Sequence, residues 1–183
     1  MPEQKTVAQR ILSSQLQTWC TPPLYLDAVR AVFGDIELDP ASCASANRIV
    51  CAARYFTEEQ NGLLLPWYAH TVWLNPPYGR IGAKSNQAAW AEKLLTEYAH
   101  GHIQQAIALF SANTDTRWFH QLFAFPLCFT RGRIAFFAPG TQETRSGNTS
   151  GSVFVYCGPN KQRFAQVFAQ FGCTVKAVDS NGN

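Results

Sequence analysis

With 183 residues, 46% of them apolar and only 15% charged, the chain is long enough to bury one full core, and a single domain over residues 1–183 is expected. Its six cysteines show no CxxC pairing in a chain too large to depend on disulfide staples, and no apolar run approaches bilayer-spanning length, so a soluble protein of a reducing cytoplasm is expected and a secreted or membrane one is not. The net charge of +3 is unevenly spread: residues 1–75 carry 5 basic and 7 acidic side chains and residues 76–183 carry 10 and 5, so the halves stand at −2 and +5, which suits a phosphate-binding face as well as an ordinary solvated one.

Residues 1–18 are polar, lack the apolar centre of a signal peptide, and read as an N-terminal extension. Thr21 and Pro22 then offer an N-cap and a first-turn proline for a helix that carries Tyr25, Val29, Val32 and Phe33 on one face and stops at Gly34. A strand over residues 36–39 follows, then a short helix through residues 47–52 that Ser42 could cap. Strand 71–75 precedes a helix over residues 87–98, where Trp90, Leu94 and Tyr98 stack at helical spacing. Next come strand 106–111, a helix begun by Asn113 or Thr114 that carries Trp118, Phe119 and Leu122, and strands over 127–130, 133–138 and 152–157. The Gly-, Ser- and Thr-rich stretch 139–151 reads as a mobile loop. Helix 160–171 puts Phe164, Val167, Phe168 and Phe171 on one stripe before Gly172, and a last strand spans 174–178. Apolar strands interleaved with helices argue for an α/β sandwich whose sheet is mostly parallel, with an antiparallel edge hairpin from the late strands.

Ligands of such sheets bind beyond the carboxyl ends of the strands, which directs attention to two ends, IELDPAS and TVWLNPPYG. In each a polar residue, Asp39 or Asn75, stands before proline, which holds it extended and blocks further ladder pairing. At Asn75-Pro76-Pro77-Tyr78 the proline pair fixes two φ angles and adds carbonyls with no local amide donor. The Asn75 side-chain oxygen and the Pro76 carbonyl can therefore converge as two acceptors on one NH2 group. A nucleobase amine is a poor nucleophile because its lone pair is delocalised into the ring. Accepting both of its hydrogens favours a pyramidal nitrogen and localises that pair, a gain made chiefly in the transition state. Tyr78 would stack on the face of the base. Asn and Pro also end strands in ordinary turns, but from average composition NPPY should occur by chance in only about one chain of this length in a few thousand.

On the segments WCTPPLYLDAVRAVFG, IELDPAS, ARYFTEEQNGLLLPW, VWLNPPYG, ALFSANTDTRWF, RGRIAFF and GSVFVYCG, in this order from Trp19 to Gly158, the sequence resembles the compact phage and prophage type of DNA N6-adenine methyltransferase. The resemblance implies a Rossmann-like methyltransferase sandwich that uses S-adenosylmethionine, with Asn75, Pro76, Pro77 and Tyr78 as the catalytic tip. It further implies that Thr21 and Pro22 lie against the methionine part of the cofactor, that Asp39, Pro40 and Ala41 border it, and that Asn61 accepts from its adenine amine. Two departures stand out. The glycine-rich turn usual after the first strand is replaced by DPASCASAN, and no acidic residue for the ribose is visible at a second strand, leaving Glu58 or Glu59 to stand in.

Double-stranded DNA is the implied substrate, and an adenine within a duplex must be extruded to reach such a tip. Arg80, Lys84, Arg131, Arg133 and Arg145 are the candidate DNA-binding residues, read as phosphate contacts. The tip alone is shared with enzymes that methylate other amines, so RNA bases and protein glutamine stay open as substrates. A nucleic-acid-binding module without catalysis is a third reading of the irregular cofactor loop. His70, His100, His102 and His120 lack metal-ligand spacing, HExxH, Walker and GxSxG motifs are absent, and the reaction implied requires no metal.

Overall fold

Strands whose side chains alternate between two apolar layers form the centre of the protein; the computed structural model describes residues 20–81, 84–137, 144–145 and 150–176, with backbone alone at 80, 81, 84, 144 and 145. Three buried strands show the alternation: β3 (Ala69–Leu74), β6 (Ile103–Ser111) and β10 (Ser152–Cys157). Val72, Leu74, Ala106, Ala108, Phe110, Val153 and Val155 point to one layer, and Trp73, Ile107, Leu109, Phe154 and Tyr156 to the other. Strands apolar on both faces require a cover on each side.

The first layer receives α3 (Asn86–Ala99) through Trp90, Ala91 and Leu94, and α4 (Arg117–His120) through Phe119, followed by a 3-10 turn over Gln121–Ala124. The second receives α1 (Pro23–Phe33), α2 (Ala44–Val50) and α5 (Lys161–Phe168). Local chemistry ends these helices largely where expected. Gly34, at φ 80°, closes α1 with its N–H on the Arg30 carbonyl at 2.7 Å, a left-handed turn that suits glycine. Three caps differ from expectation, the first being that of α4, which is Thr116 in place of Asn113 or Thr114. Pro22 is the N-cap of α1, which leaves the Thr21 hydroxyl free for another partner, and α2 is capped by Cys43, whose Sγ accepts from the Ala46 amide, in place of Ser42.

The sheet runs β11-β7-β10-β6-β3-β1-β2, where β1 is Leu38–Asp39, β2 Arg54–Tyr55, β7 Leu127–Thr130 and β11 Gly172–Val175. β2, β1, β3 and β6 pair in parallel, whereas β10 is antiparallel to both β6 and β7, and β11 to β7. Followed across the sheet, β2, β1, β3, β6 and β7 run one way and β10 and β11 the other. The fold is thus a mixed α/β, Rossmann-like sandwich, with an antiparallel block one strand larger than an edge hairpin because β11 adds outside β7. Two small hairpins flank the sheet, β4 (Arg80–Ile81) with β5 (Lys84–Ser85), and β8 (Phe136–Phe137) with β9 (Thr144–Arg145). β8 realises only residues 136 and 137 of the strand expected at 133–138, whose last residue lies outside the described residues; β9 falls inside the stretch expected to be a loop, most of which also lies outside them, as does the extension 1–18. All six cysteines are free.

Candidate active site

Because β1 and β3 are parallel neighbours, paired Leu38 to Val72, their carboxyl ends open side by side, and the Asp39-Pro40 and Asn75-Pro76 tips face one cavity of about 620 Å³. That is within the usual range of small-molecule sites, roughly 300–1,000 Å³. Cys20, Thr21, Asp39, Pro40, Ala41, Asn61 and the whole Asn75-Pro76-Pro77-Tyr78 tip line it. Pro22 does not; its place as N-cap turns it to α1.

Asn75 is held in one orientation. Its Nδ2 donates to Thr21 Oγ1 at 3.1 Å, while its Oδ1 is buried with no hydrogen-bond partner among the described residues. The following turns are gripped by α3: Asn86 Nδ2 donates to the Pro77 carbonyl at 3.1 Å and the Asn86 amide to the Gly79 carbonyl at 3.0 Å. Among the described residues nothing donates to the Pro76 carbonyl. A buried acceptor without a donor is uncommon in a folded protein and costs about 1–3 kcal/mol, so it marks either strain or a place for a ligand.

Tyr78 is turned inward. Its ring packs edge-on against Phe136, with centroids 6.0 Å apart and planes at 69°, and its hydroxyl is buried without a partner, so burial pushes the phenol well above its ordinary value.

Asp39, at the neighbouring strand end, is 3% exposed, and burial raises its carboxyl from 3.8 to about 7 against the pull of the Ala41 amide, 3.2 Å from Oδ1. The β1–β2 ladder continues past the strands through Phe56 N to Asp39 O and Ser42 N to Phe56 O, at 3.0 and 2.9 Å. It thereby lays segment 56–64 along the Asp39-Pro40 tip. Gly62 is needed there: a Cβ would sit 2.0 Å from the Pro40 carbonyl oxygen and 3.1 Å from Trp90, and the Gly62 carbonyl accepts from Trp67 Nε1 at 2.7 Å. Asn61 sits at φ 54°, and its Oδ1 already accepts from the Leu63 amide at 3.2 Å, leaving one lone pair for a ligand. Glu58 lines the cavity and Glu59 does not. Burial raises the Cys20 thiol to about 11, with the nearby Cys43 adding to the shift, so it is not a nucleophile at neutral pH.

Among the described residues the lining holds two acidic side chains, Asp39 and Glu58, and no Lys, Arg or His. Trp73, Trp90, Ile49, Val50 and Leu63 add aromatic and aliphatic surface. Such a cavity suits a ligand with positive charge and a flat apolar part. Sequence reasoning missed Gly62, Asn86 and Trp90 as site residues. Asn86 had a signal, a polar residue directly before an amphipathic helix, and Gly62 was visible only as a turn glycine.

Two of the basic side chains expected to meet DNA lie on the side of the sheet where β3 ends. Arg131 and Arg133 are exposed just past the carboxyl end of β7, which runs in the direction of β3. The backbones of Arg80, Lys84 and Arg145 belong to the β4–β5 and β8–β9 hairpins, which leave the sheet on that side; their side chains lie outside the described residues. Among the described residues, no three His, Cys, Asp or Glu gather as a metal set, and no helix is long and apolar enough to cross a membrane.

A protein-family model described as DNA N-6-adenine-methyltransferase (Dam) matches residues 9–179. A protein of Escherichia phage T1 named DNA N-6-adenine-methyltransferase is 28% identical over 153 residues, covering 74% of this chain and 60% of its own length. The chain thus spans about 60% of the curated relative it matches.

Proposed function

Since the chain belongs to the DNA N-6-adenine-methyltransferase (Dam) family, we propose that it transfers a methyl group from S-adenosylmethionine to the N6 amine of adenine in double-stranded DNA. The observation that supports this most is the unpartnered, buried Asn75 Oδ1 on a cavity that Pro76 also lines, together with acids and aromatics.

When bound, S-adenosylmethionine supplies a methyl group on a positively charged sulfur. The lining fits it: Asp39 and Glu58 would balance its charge, and Pro40, Gly62, Leu63 and Trp90 would enclose its flat part, with the free lone pair of Asn61 Oδ1 open to the adenine amine. Asn75 Oδ1 and the Pro76 carbonyl accept the two hydrogens of the target N6, which localises the nitrogen lone pair as its bond to carbon forms. Because the acceptors are already fixed through Thr21 and Asn86, little reorganisation is left to the reaction itself. The N6 proton in excess after transfer leaves through Asn75 and solvent at the rim. Tyr78 stacks on the extruded base after turning from Phe136, and the arginines past the end of β7 hold the flanking phosphates.

Methyl-tritiated S-adenosylmethionine incubated separately with DNA, RNA and protein tests this reading. Label should enter DNA, be recovered as N6-methyladenine, and vanish with Asn75→Ala. Label in RNA or in glutamine, with none in DNA, would replace the substrate proposed here.

A further inference from the structure

We infer that Thr21 is the positioning residue of the catalytic amide: its hydroxyl anchors Asn75 Nδ2 and so turns Oδ1 into the cavity. The inference rests on the proposed reading of Asn75 as an amine acceptor and adds what makes it one. An asparagine amide has two chemically opposite ends of nearly equal shape, and only the oxygen can receive a hydrogen from the target amine; an inward NH2 would oppose it. Thr21 is 3% exposed and contacts Nδ2 at 3.1 Å, whereas Oδ1 has no partner among the described residues. A side chain at position 21 that cannot accept would leave the Nδ2 hydrogens buried and unpaired, and the amide would rotate to seek an acceptor, the nearby Pro76 carbonyl included.

Thr21 can do this because its backbone is pinned on both sides. Cys20 exchanges backbone hydrogen bonds with Phe137, N to O at 2.9 Å and O to N at 3.3 Å, and Pro22 enters α1. The anchor is thereby tied to β8, whose Phe136 packs on Tyr78. Threonine at 21 and asparagine at 75 are 54 residues apart, so their relation appears only in the folded chain.

The test compares Thr21→Val, which keeps the branched shape and removes the acceptor, with Thr21→Ser, which keeps the acceptor. With DNA as substrate, Thr21→Val should lower kcat about ten- to a hundredfold while its calorimetric Kd for S-adenosylmethionine stays within about twofold, and Thr21→Ser should stay near the unaltered protein. In 15N spectra the Asn75 side-chain NH2 pair, identified by its loss in Asn75→Asp, should shift in Thr21→Val and return in Thr21→Ser. Thermal melts check the fold of each variant, and Thr21→Ala serves if valine unfolds the chain. An unchanged kcat, a loss confined to S-adenosylmethionine affinity, or an NH2 pair indifferent to the substitution would each overturn the assignment. Absence of DNA methylation by the unaltered protein would instead sink the proposed function, and the NH2 pair would still decide whether Thr21 orients Asn75.

Discussion

Buried polar groups at the two ends of the parallel strands are treated in opposite ways. At the amino ends, Glu97 of α3 is fully engaged: Lys93 Nζ lies 2.5 Å from Oε1, His102 Nδ1 lies 2.7 Å from Oε2, and the Trp67 amide donates to Oε2 at 3.2 Å. At the carboxyl ends the reverse holds. Of the six buried side-chain polar atoms without partners among the described residues, four, on Ser42, Asn75, Tyr78 and Asn86, belong to residues lining the cavity. A network with every member paired holds a fold together, and a cluster of unpaired groups around one cavity waits for a ligand. The same sheet therefore has a structural end and a chemical end.

The largest effect that would test this division is at Asn75. Asn75→Ala removes an acceptor that is unpaired in the free protein along with the single Nδ2 bond to Thr21, so methyl transfer should fall by at least about a hundred- to a thousandfold while stability changes by no more than about 1 kcal/mol. A variant that lost both together would place Asn75 among the structural groups.

Glu97→Ala is the converse. It strands the Trp67 amide and the Lys93 ammonium, which lies 5.9 Å from the Trp67 ring centroid, and should cost about 3 kcal/mol in denaturant unfolding, with kcat unchanged below the transition. Burial pushes the Glu97 carboxyl up, but hydrogen bonds from Lys93, His102 and the Trp67 amide outweigh it, and the net shift is downward. A lowered folded value means that the stabilisation is present above the ordinary 4.5 and is lost as pH falls through the folded value. The stability gap to Glu97→Gln should accordingly close only on acidification below about 4.5; a gap that closes on raising the pH would contradict the network.

Gly62→Ala strikes the cavity wall without removing a polar group. Its Cβ would meet the Pro40 carbonyl oxygen at 2.0 Å, which forces segment 56–64 off the Asp39-Pro40 tip at a cost of about 1–3 kcal/mol. S-adenosylmethionine affinity should drop about tenfold or more in calorimetry, and kcat at saturating donor should drop less. An equal affinity would show that the segment does not border the donor.

How much of this was legible in sequence depends on how local each feature is. The two proline-bounded tips were readable because Pro fixes its own φ and restrains the residue before it, and the apolar strands 127–130 and 152–157 were found to the residue. β2 was missed because Arg54–Tyr55 is two residues long with one exposed, leaving no period to detect. The added antiparallel strand was legible as an element but not as a neighbour, since pairing of β11 with β7 joins residues more than forty apart, as Gly172 with Thr130 shows. Asn86 and the Thr21–Asn75 contact were hidden for the same reason. Cys43 displaced Ser42 as the cap of α2 by a single position, within the usual uncertainty of helix boundaries.

The smallest expected effect concerns Asp39, the one buried acid in the cavity whose charge is itself in question. Burial lifts its carboxyl from 3.8 to about 7, so between those values the folded protein holds a proton that the unfolded chain has released. Stability of the free protein therefore declines as pH rises through that window and levels off above about 7, where both states are charged. A positively charged donor reverses the preference, because it favours the carboxylate. Binding should then expel a proton and tighten as pH climbs towards about 7, a modest change spread over one residue. Calorimetric titration of S-adenosylmethionine in two buffers of different ionisation enthalpy measures the proton directly, and Asp39→Asn should abolish both the release and the slope. Proton uptake, or a slope that survives the substitution, would move the charge balance of the donor to Glu58 and leave Asp39 as a neutral wall of the chemical end.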